Sequence, residues 1–209
     1  MLAKPASPTF EAAASVPLAA FTALQALRDK GGLRAGHKVL VNGASGGVGT
    51  FTVQIAKALG AEVTGVCSTR NTELISSIGA DHVIDYTRDD FTRTGQRHDL
   101  MVDIAGNRSL AECRRVLTRE AVLVGVGGPG KGRPLIRPVG MQLRSPFVSQ
   151  TIVFFLAQQR RDDLVALREF LEAGKLTPVI DRTYPLSETA EAMRYLEEGH
   201  ARGKVVITG

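Results

Sequence analysis

Apolar and polar residues change their repeat several times along the chain, and each change marks an element. Residues 38–42, 62–67, 82–85, 99–105 and 121–126 are short runs rich in apolar and β-branched side chains, and each reads as a strand. Between them, residues 48–59, 73–78 and 110–117 carry apolar positions three and four apart, which predicts helices. Gly60 and Gly79 end the first two, since glycine accepts the left-handed backbone that follows a helix. Strands that alternate with helices imply βαβ units and an α/β fold. Runs such as Ala121-Val-Leu-Val, apolar at every position, are what a parallel strand buried on both faces requires.

The flanks are less regular. Residues 12–27 predict a helix with Pro17 in its first turn and Leu18, Phe21, Leu24 and Leu27 on one stripe, closed by Gly31 and Gly32. A signal-peptide reading fails because Glu11 precedes the apolar stretch and Pro17 and Gln25 interrupt it. Residues 127–149 are rich in Gly and Pro without periodicity and read as a long loop. A further strand opens at Thr151 and closes at Leu156, and a helix over 162–172 stops at Gly174. A helix over 187–198 with Ser187 as N-cap and a strand-like run over 204–208 complete the chain. The expected organisation is an entering segment over 1–36, a nucleotide-binding domain over 37–174 and a C-terminal segment over 175–209.

Composition narrows the partners. Hydrophobic residues make up 44% of the 209 positions and charged residues 22%, which suits a packed core and excludes a disordered or coiled-coil chain. The net charge is +5, yet the 19 Arg are scattered, with no block longer than pairs such as Arg114 with Arg115 and Arg160 with Arg161. That pattern fits solvated helix faces, and no nucleic-acid partner is expected. The longest apolar run, near residues 152–157, is far short of the roughly 20 needed to span a bilayer, so no membrane association is expected. Cys67 and Cys113 can form no disulfide framework and belong to no C-x-x-C pair, so both are expected in the core of a cytoplasmic protein. The four His, at 37, 82, 98 and 200, share no metal-ligand spacing with them, and no zinc site is expected.

The chemistry lies in Lys38-Val-Leu-Val-Asn-Gly-Ala-Ser-Gly-Gly-Val-Gly-Thr50, a strand, a glycine-rich turn and a helix start in succession. A pyrophosphate needs backbone N–H groups aimed at it, no side chain in the way, and the positive end of a helix dipole. Ala44, Ser45, Gly46, Gly47, Val48 and Gly49 supply that turn. Gly46 permits close approach, and Gly49 lets the helix pack tightly. The fold this predicts is a Rossmann-type doubly wound parallel sheet with helices on both faces. A P-loop is excluded because Thr50, not Lys, follows Gly49. The short-chain dehydrogenase pattern matches residues 42–49 except at Asn42, but Tyr86, Tyr184 and Tyr195 are followed at the catalytic spacing by Asp90, Glu188 and Gly199 instead of Lys.

Four stretches together resemble the medium-chain dehydrogenase/reductase superfamily, in its zinc-independent quinone oxidoreductase-like branch. They are Glu11-Ala-Ala-Ala-Ser-Val-Pro-Leu-Ala-Ala-Phe-Thr-Ala-Leu-Gln-Ala-Leu, Ala44-Ser-Gly-Gly-Val-Gly, Ile78-Gly-Ala-Asp-His-Val-Ile-Asp-Tyr and Arg202-Gly-Lys-Val-Val-Ile. Ala44 replaces the first glycine of the usual pattern, as is common in that branch. The resemblance implies a nicotinamide-dependent oxidoreductase that passes hydride between NADP(H) and a quinone, enone, aldehyde or alcohol. It also implies a substrate domain preceding this segment, so that Leu186, Met193, Leu196 or Val205 is expected to be exposed or covered by another chain. A catalytically silent NADPH-binding or sensing module is the alternative, and no residue stands out as a catalytic acid.

The cofactor choice turns on the end of the second strand, where an acidic residue would bind the ribose of NAD. Ser68, Thr69 and Arg70 stand there instead, two hydroxyls beside a permanently charged fork that suits the 2′-phosphate of NADP(H). By resemblance Tyr86 lies near the same phosphate, and the loops of Ala105, Gly106 and Asn107 and of Val126 and Gly127 touch the nicotinamide end. The strand from Thr151 to Leu156 is expected at the sheet edge, where antiparallel pairing across a two-fold axis would make a homodimer.

Overall fold

The computed structural model describes residues 8–126, 143–145 and 148–209. Helices α1 (Phe10–Ser15) and α2 (Pro17–Gln25) enter the fold, with Pro17 at the first position of α2 and a π-helical turn over Ala26–Lys30 ending at Gly31. The core then alternates β1 (Lys38–Asn42), α3 (Gly47–Ala58), β2 (Glu62–Cys67), α4 (Thr72–Ser77), β3 (His82–Asp85), β4 (His98–Asp103), α5 (Leu110–Arg115) and β5 (Leu117–Gly125). After it come β6 (Leu143–Ser145), β7 (Val148–Phe154), α6 (Arg161–Glu172), β8 (Ile180–Pro185), α7 (Thr189–Glu197) and β9 (Lys204–Thr208).

The main sheet runs β3-β2-β1-β4-β5-β7-β6, parallel throughout except for β6. Its strand order turns back at β1, the doubly wound arrangement in which ligands sit outside the carboxyl ends of the strands. Alternation within each strand feeds two cores. Val39, Val41, Leu100, Val102 and Val124 pack on one face with α2, α3 and α6. Leu40, Met101, Leu123 and Cys113 pack on the other. Both cysteines are free and buried, as their positions in the pattern predict.

Three expectations need correction, and one strand goes unpredicted. Leu18 is exposed: it lies in the first turn of α2, whose buried residues begin at Ala19. Ser187 caps nothing: a 3-10 turn over Leu186–Glu188 precedes α7, whose N-cap is Glu188. Strand β8 lies in a stretch without an apolar run and pairs in parallel with β9 as a separate two-stranded sheet. The run from Thr151 is not the edge of the main sheet, since β6 pairs with β7 on its outer side through Leu143 with Ile152 and Ser145 with Val148. The open-edge argument for a dimer through that run therefore loses its premise. Leu186, Met193 and Leu196 are exposed, Leu186 at 69%, while Val205 is only partly so.

At the amino ends of the strands, His98 is buried between β4 and its neighbours, with Nδ1 3.1 Å from the Val116 carbonyl and Nε2 3.4 Å from Thr64 Oγ1. Burial holds its pKa below the ordinary histidine value, against the opposing pull of the Val116 carbonyl. The unfolded chain takes up a proton near pH 6.5 that the folded chain refuses, so the stability this group supplies is present above that pH and lost below it. Thermal midpoints measured from pH 7 down to pH 5 should fall, and His98→Gln should flatten that fall. An unchanged slope in the variant would assign the acid sensitivity to other groups.

Candidate functional site

The turn from β1 to α3 is built around a steric limit. Gly43 has φ +90°, a left-handed value that favours glycine. A Cβ on Gly49 would stand 2.1 Å from the Gly43 carbonyl oxygen and 2.7 Å from the Ala44 carbonyl. Ala44 itself is fully buried with an ordinary backbone, its N–H donating to the Val66 carbonyl at 3.0 Å. The left-handed residue is Gly43, which explains why alanine is accepted next to it. Gly65 in β2 makes room for Ala44, since a Cβ there would lie 3.2 Å from the Ala44 methyl and 2.5 Å from Ile75.

Gly46 is different. It is the N-cap of α3 in extended conformation, and a Cβ built on it would meet only the Gly43 oxygen, at 3.8 Å. The space beside Gly46 is therefore open, and it lies at the positive end of a 12-residue helix, whose next residue, Gly47, is faced by the Lys204 side chain and the Gly203 carbonyl. A phosphate group fits such a cradle, and any side chain on Gly46 would fill it.

The other strand ends are tied to this turn. The Asn42 amide donates to Asp103 Oδ1 at 2.8 Å and to Asn107 Oδ1 at 3.0 Å, and the Gly106 N–H donates to the same Asp103 oxygen at 3.0 Å. The loop of Ala105, Gly106 and Asn107 is thereby held against the end of β1, and the Val126 N–H binds the Asp103 carbonyl at 2.9 Å. Gly127 lies outside the described residues. The expected site residues of β1, β2, β3, β4 and β5 thus share one edge of the sheet.

At the far end, Ser68, Thr69, Arg70, Tyr86, Thr87 and His200 line a shallow cleft of about 320 Å³. Arg70 is exposed and its Nη2 donates to the His200 carbonyl at 2.6 Å. Of the two hydroxyls expected to face a phosphate, Thr69 lies 2.5 Å from Asp85 Oδ2 and 2.8 Å from Thr87 Oγ1, so its proton is committed to Asp85. Ser68 Oγ accepts from the Asn71 amide at 3.2 Å and keeps its own proton for another acceptor. The Thr69 hydroxyl, with help from Thr87, holds the Asp85 carboxyl below the usual carboxylate range. Burial, reinforced by Asp85, pushes the Cys67 thiol up to about 11, so it stays protonated and unreactive at neutral pH.

Sequence reading missed the C-terminal contribution. The Gly203 N–H donates to the Ser45 carbonyl at 2.8 Å, and Gly203 bridges Gly46 in parallel register. Lys204 follows, with its side chain alongside the start of α3: a Cβ on Gly47 would lie 2.9 Å from Lys204 Cδ and 3.8 Å from its Nζ. No local pattern signals a contact between residues so far apart in the chain. Among the described residues, no group of three His, Cys, Asp or Glu could hold a metal ion.

A family described as zinc-binding dehydrogenase matches residues 78–207. A mitochondrial NAD(P)H oxidoreductase of Mus musculus is 36% identical over 227 residues, covering 98% of this chain and 57% of the relative. A 2-methylene-furan-3-one reductase of Solanum lycopersicum is 35% identical over 208 residues, covering 98% of this chain and 48% of the relative. The solved quinone oxidoreductase of Coxiella burnetii superimposes with a TM-score of 0.85 at 30% identity, covering all of this chain and 63% of that one. The chain therefore spans about half to two thirds of the length of these proteins.

Two glycine variants separate folding from binding. Gly49→Ala sets a methyl group against backbone and should cost about 1–3 kcal/mol of stability, read as a lower denaturation midpoint. Gly46→Ala should leave the midpoint within error and weaken dinucleotide binding, read by titration. Undiminished binding by a folded Gly46→Ala protein would mean that the cradle holds no phosphate.

Proposed function

Because the chain belongs to the zinc-binding dehydrogenase family, on the quinone oxidoreductase side of the medium-chain dehydrogenase/reductase superfamily, we propose that it is the NADP(H)-binding part of an oxidoreductase. The observation that carries this reading is the open space at Gly46 in a turn where a carbon added at Gly49 would stand 2.1 Å from backbone. Bound there, the cofactor would supply a hydride to an acceptor, or take one from a donor. The proposed acceptors are a quinone or an enone, the classes named for the relatives. Residues of this chain do the rest: the amides of Gly47 and Val48 would hold the pyrophosphate where Gly46 leaves room for it, and Lys204 would set a positive charge beside it. The Asn42–Asp103–Asn107 bonds fix the loop at the nicotinamide end.

The NADP(H) assignment rests on Arg70. A charge-assisted hydrogen bond contributes on the order of 1.5–3 kcal/mol, or roughly 10- to 100-fold in affinity, and exposure with salt screening places Arg70 toward the lower end. Titration of both cofactors at one salt concentration should show Arg70→Ala losing about 10-fold for NADPH and little for NADH. Lys204→Ala should weaken the two equally, because both carry the pyrophosphate. Equal losses of both cofactors in Arg70→Ala would remove the NADP(H) preference from this residue.

A further inference from the structure

The segment over residues 199–204 crosses the adenosine half of the groove as a strap. Gly199 and Gly203 bracket it at φ +76° and +90°. Its anchors are spread along its length. The His200 carbonyl accepts from Arg70, the Arg202 N–H donates to Asp181 Oδ2 at 2.9 Å, and the Gly203 N–H donates to the Ser45 carbonyl. Asp181 is itself steadied by the Tyr195 hydroxyl at 2.5 Å, so α7 and β8 hold the strap from behind. One end of the strap therefore touches the glycine turn and the other closes the cleft beside Arg70.

We propose that His200 is a specificity-determining residue: its imidazole completes the 2′-phosphate subsite opposite Arg70, and the strap makes selection of NADP(H) depend on the C-terminal segment. This rests on the NADP(H) reading above. The chemistry is that of a phosphate monoester on a ribose, which carries negative charge and several acceptor oxygens. The cleft offers donors for it: the guanidinium N–H groups that Arg70 does not spend on His200, the Ser68 hydroxyl and the Tyr86 hydroxyl. His200 adds a ring N–H in either protonation state. Asp85, at the end of the neighbouring strand, accepts from the hydroxyls of Thr69 and Thr87. Backbone and side chain of His200 have separate tasks. The carbonyl orients Arg70 and survives any substitution; the imidazole, on a residue that lines the cleft, is the part a substitution removes.

The test is calorimetric titration of the full chain with adenosine 2′,5′-bisphosphate, 5′-AMP, NADPH and NADH at one salt concentration. His200→Ala should weaken the two 2′-phosphorylated ligands by about 3- to 10-fold and leave 5′-AMP and NADH unchanged, with an unaltered denaturation midpoint. His200→Arg should bind the 2′-phosphorylated ligands at least as tightly as the natural chain. If Arg70→Ala loses that affinity while His200→Ala keeps it, the His200 assignment is overturned and the NADP(H) reading stands. Equal losses on all four ligands in His200→Ala would also overturn it, since a collapsed strap would act on both cofactors alike. If the natural chain binds adenosine 2′,5′-bisphosphate no better than 5′-AMP, the NADP(H) reading falls and the inference with it.

Discussion

Between β1 and α3 the chain closes around a hydrogen atom, because one added carbon on Gly49 would stand 2.1 Å from the carbonyl oxygen of Gly43. That closeness brings the start of α3 directly over the end of β1. It also turns the Gly43 and Ala44 amides toward the Val66 carbonyl, which joins the turn to β2. Asn42, one residue earlier, reaches the other way to Asp103 and Asn107. The Ser45 carbonyl receives Gly203. Three strands and the C-terminal segment are therefore referenced to a single turn, and a cofactor laid across it would meet groups already fixed in position. Pre-set donors lose little freedom on binding, which is how a shallow groove can hold a charged ligand.

Charge is distributed along the groove with the same economy. Lys204 lies at the glycine-turn end and Arg70 at the far end, and two carboxylates near them are held in hydrogen bonds. Asp103 accepts from two strand-end donors, and Asp85 accepts from two threonine hydroxyls. Cys67, at the end of β2, contributes bulk and no reactivity, because burial keeps its thiol protonated.

The parallel strands and their helices were legible because each carries its own local signal: apolar runs between glycine-terminated amphipathic stretches. So was the cradle, since glycine spacing after a strand is a local pattern too. The C-terminal part was harder. Strand β8, with Asp181, Arg182 and a terminal Pro185, has no apolar run, and it is defined by pairing with β9 rather than by its own residues. Strand β6 sits in a stretch dominated by Gly and Pro, and its pairing displaces the run beginning at Thr151 from the edge position its composition suggested. Thr69 stands at the end of β2, and that its hydroxyl donates to Asp85 on the next strand is a contact no local pattern reports. Lys204 and His200 act across more than 120 residues of chain, and no spacing rule reports a contact of that range.

The central claim is that a nicotinamide dinucleotide lies with its pyrophosphate on the amides that open α3. It is tested most directly by following backbone amide resonances of the isotopically labelled chain during titration with NADPH. The largest shifts should fall on Gly46, Gly47 and Val48, with smaller ones at Arg70, Gly106 and Gly203, and with His98 at the opposite edge of the sheet unmoved. Saturable shifts that leave the three turn amides in place would put the ligand elsewhere and contradict the account.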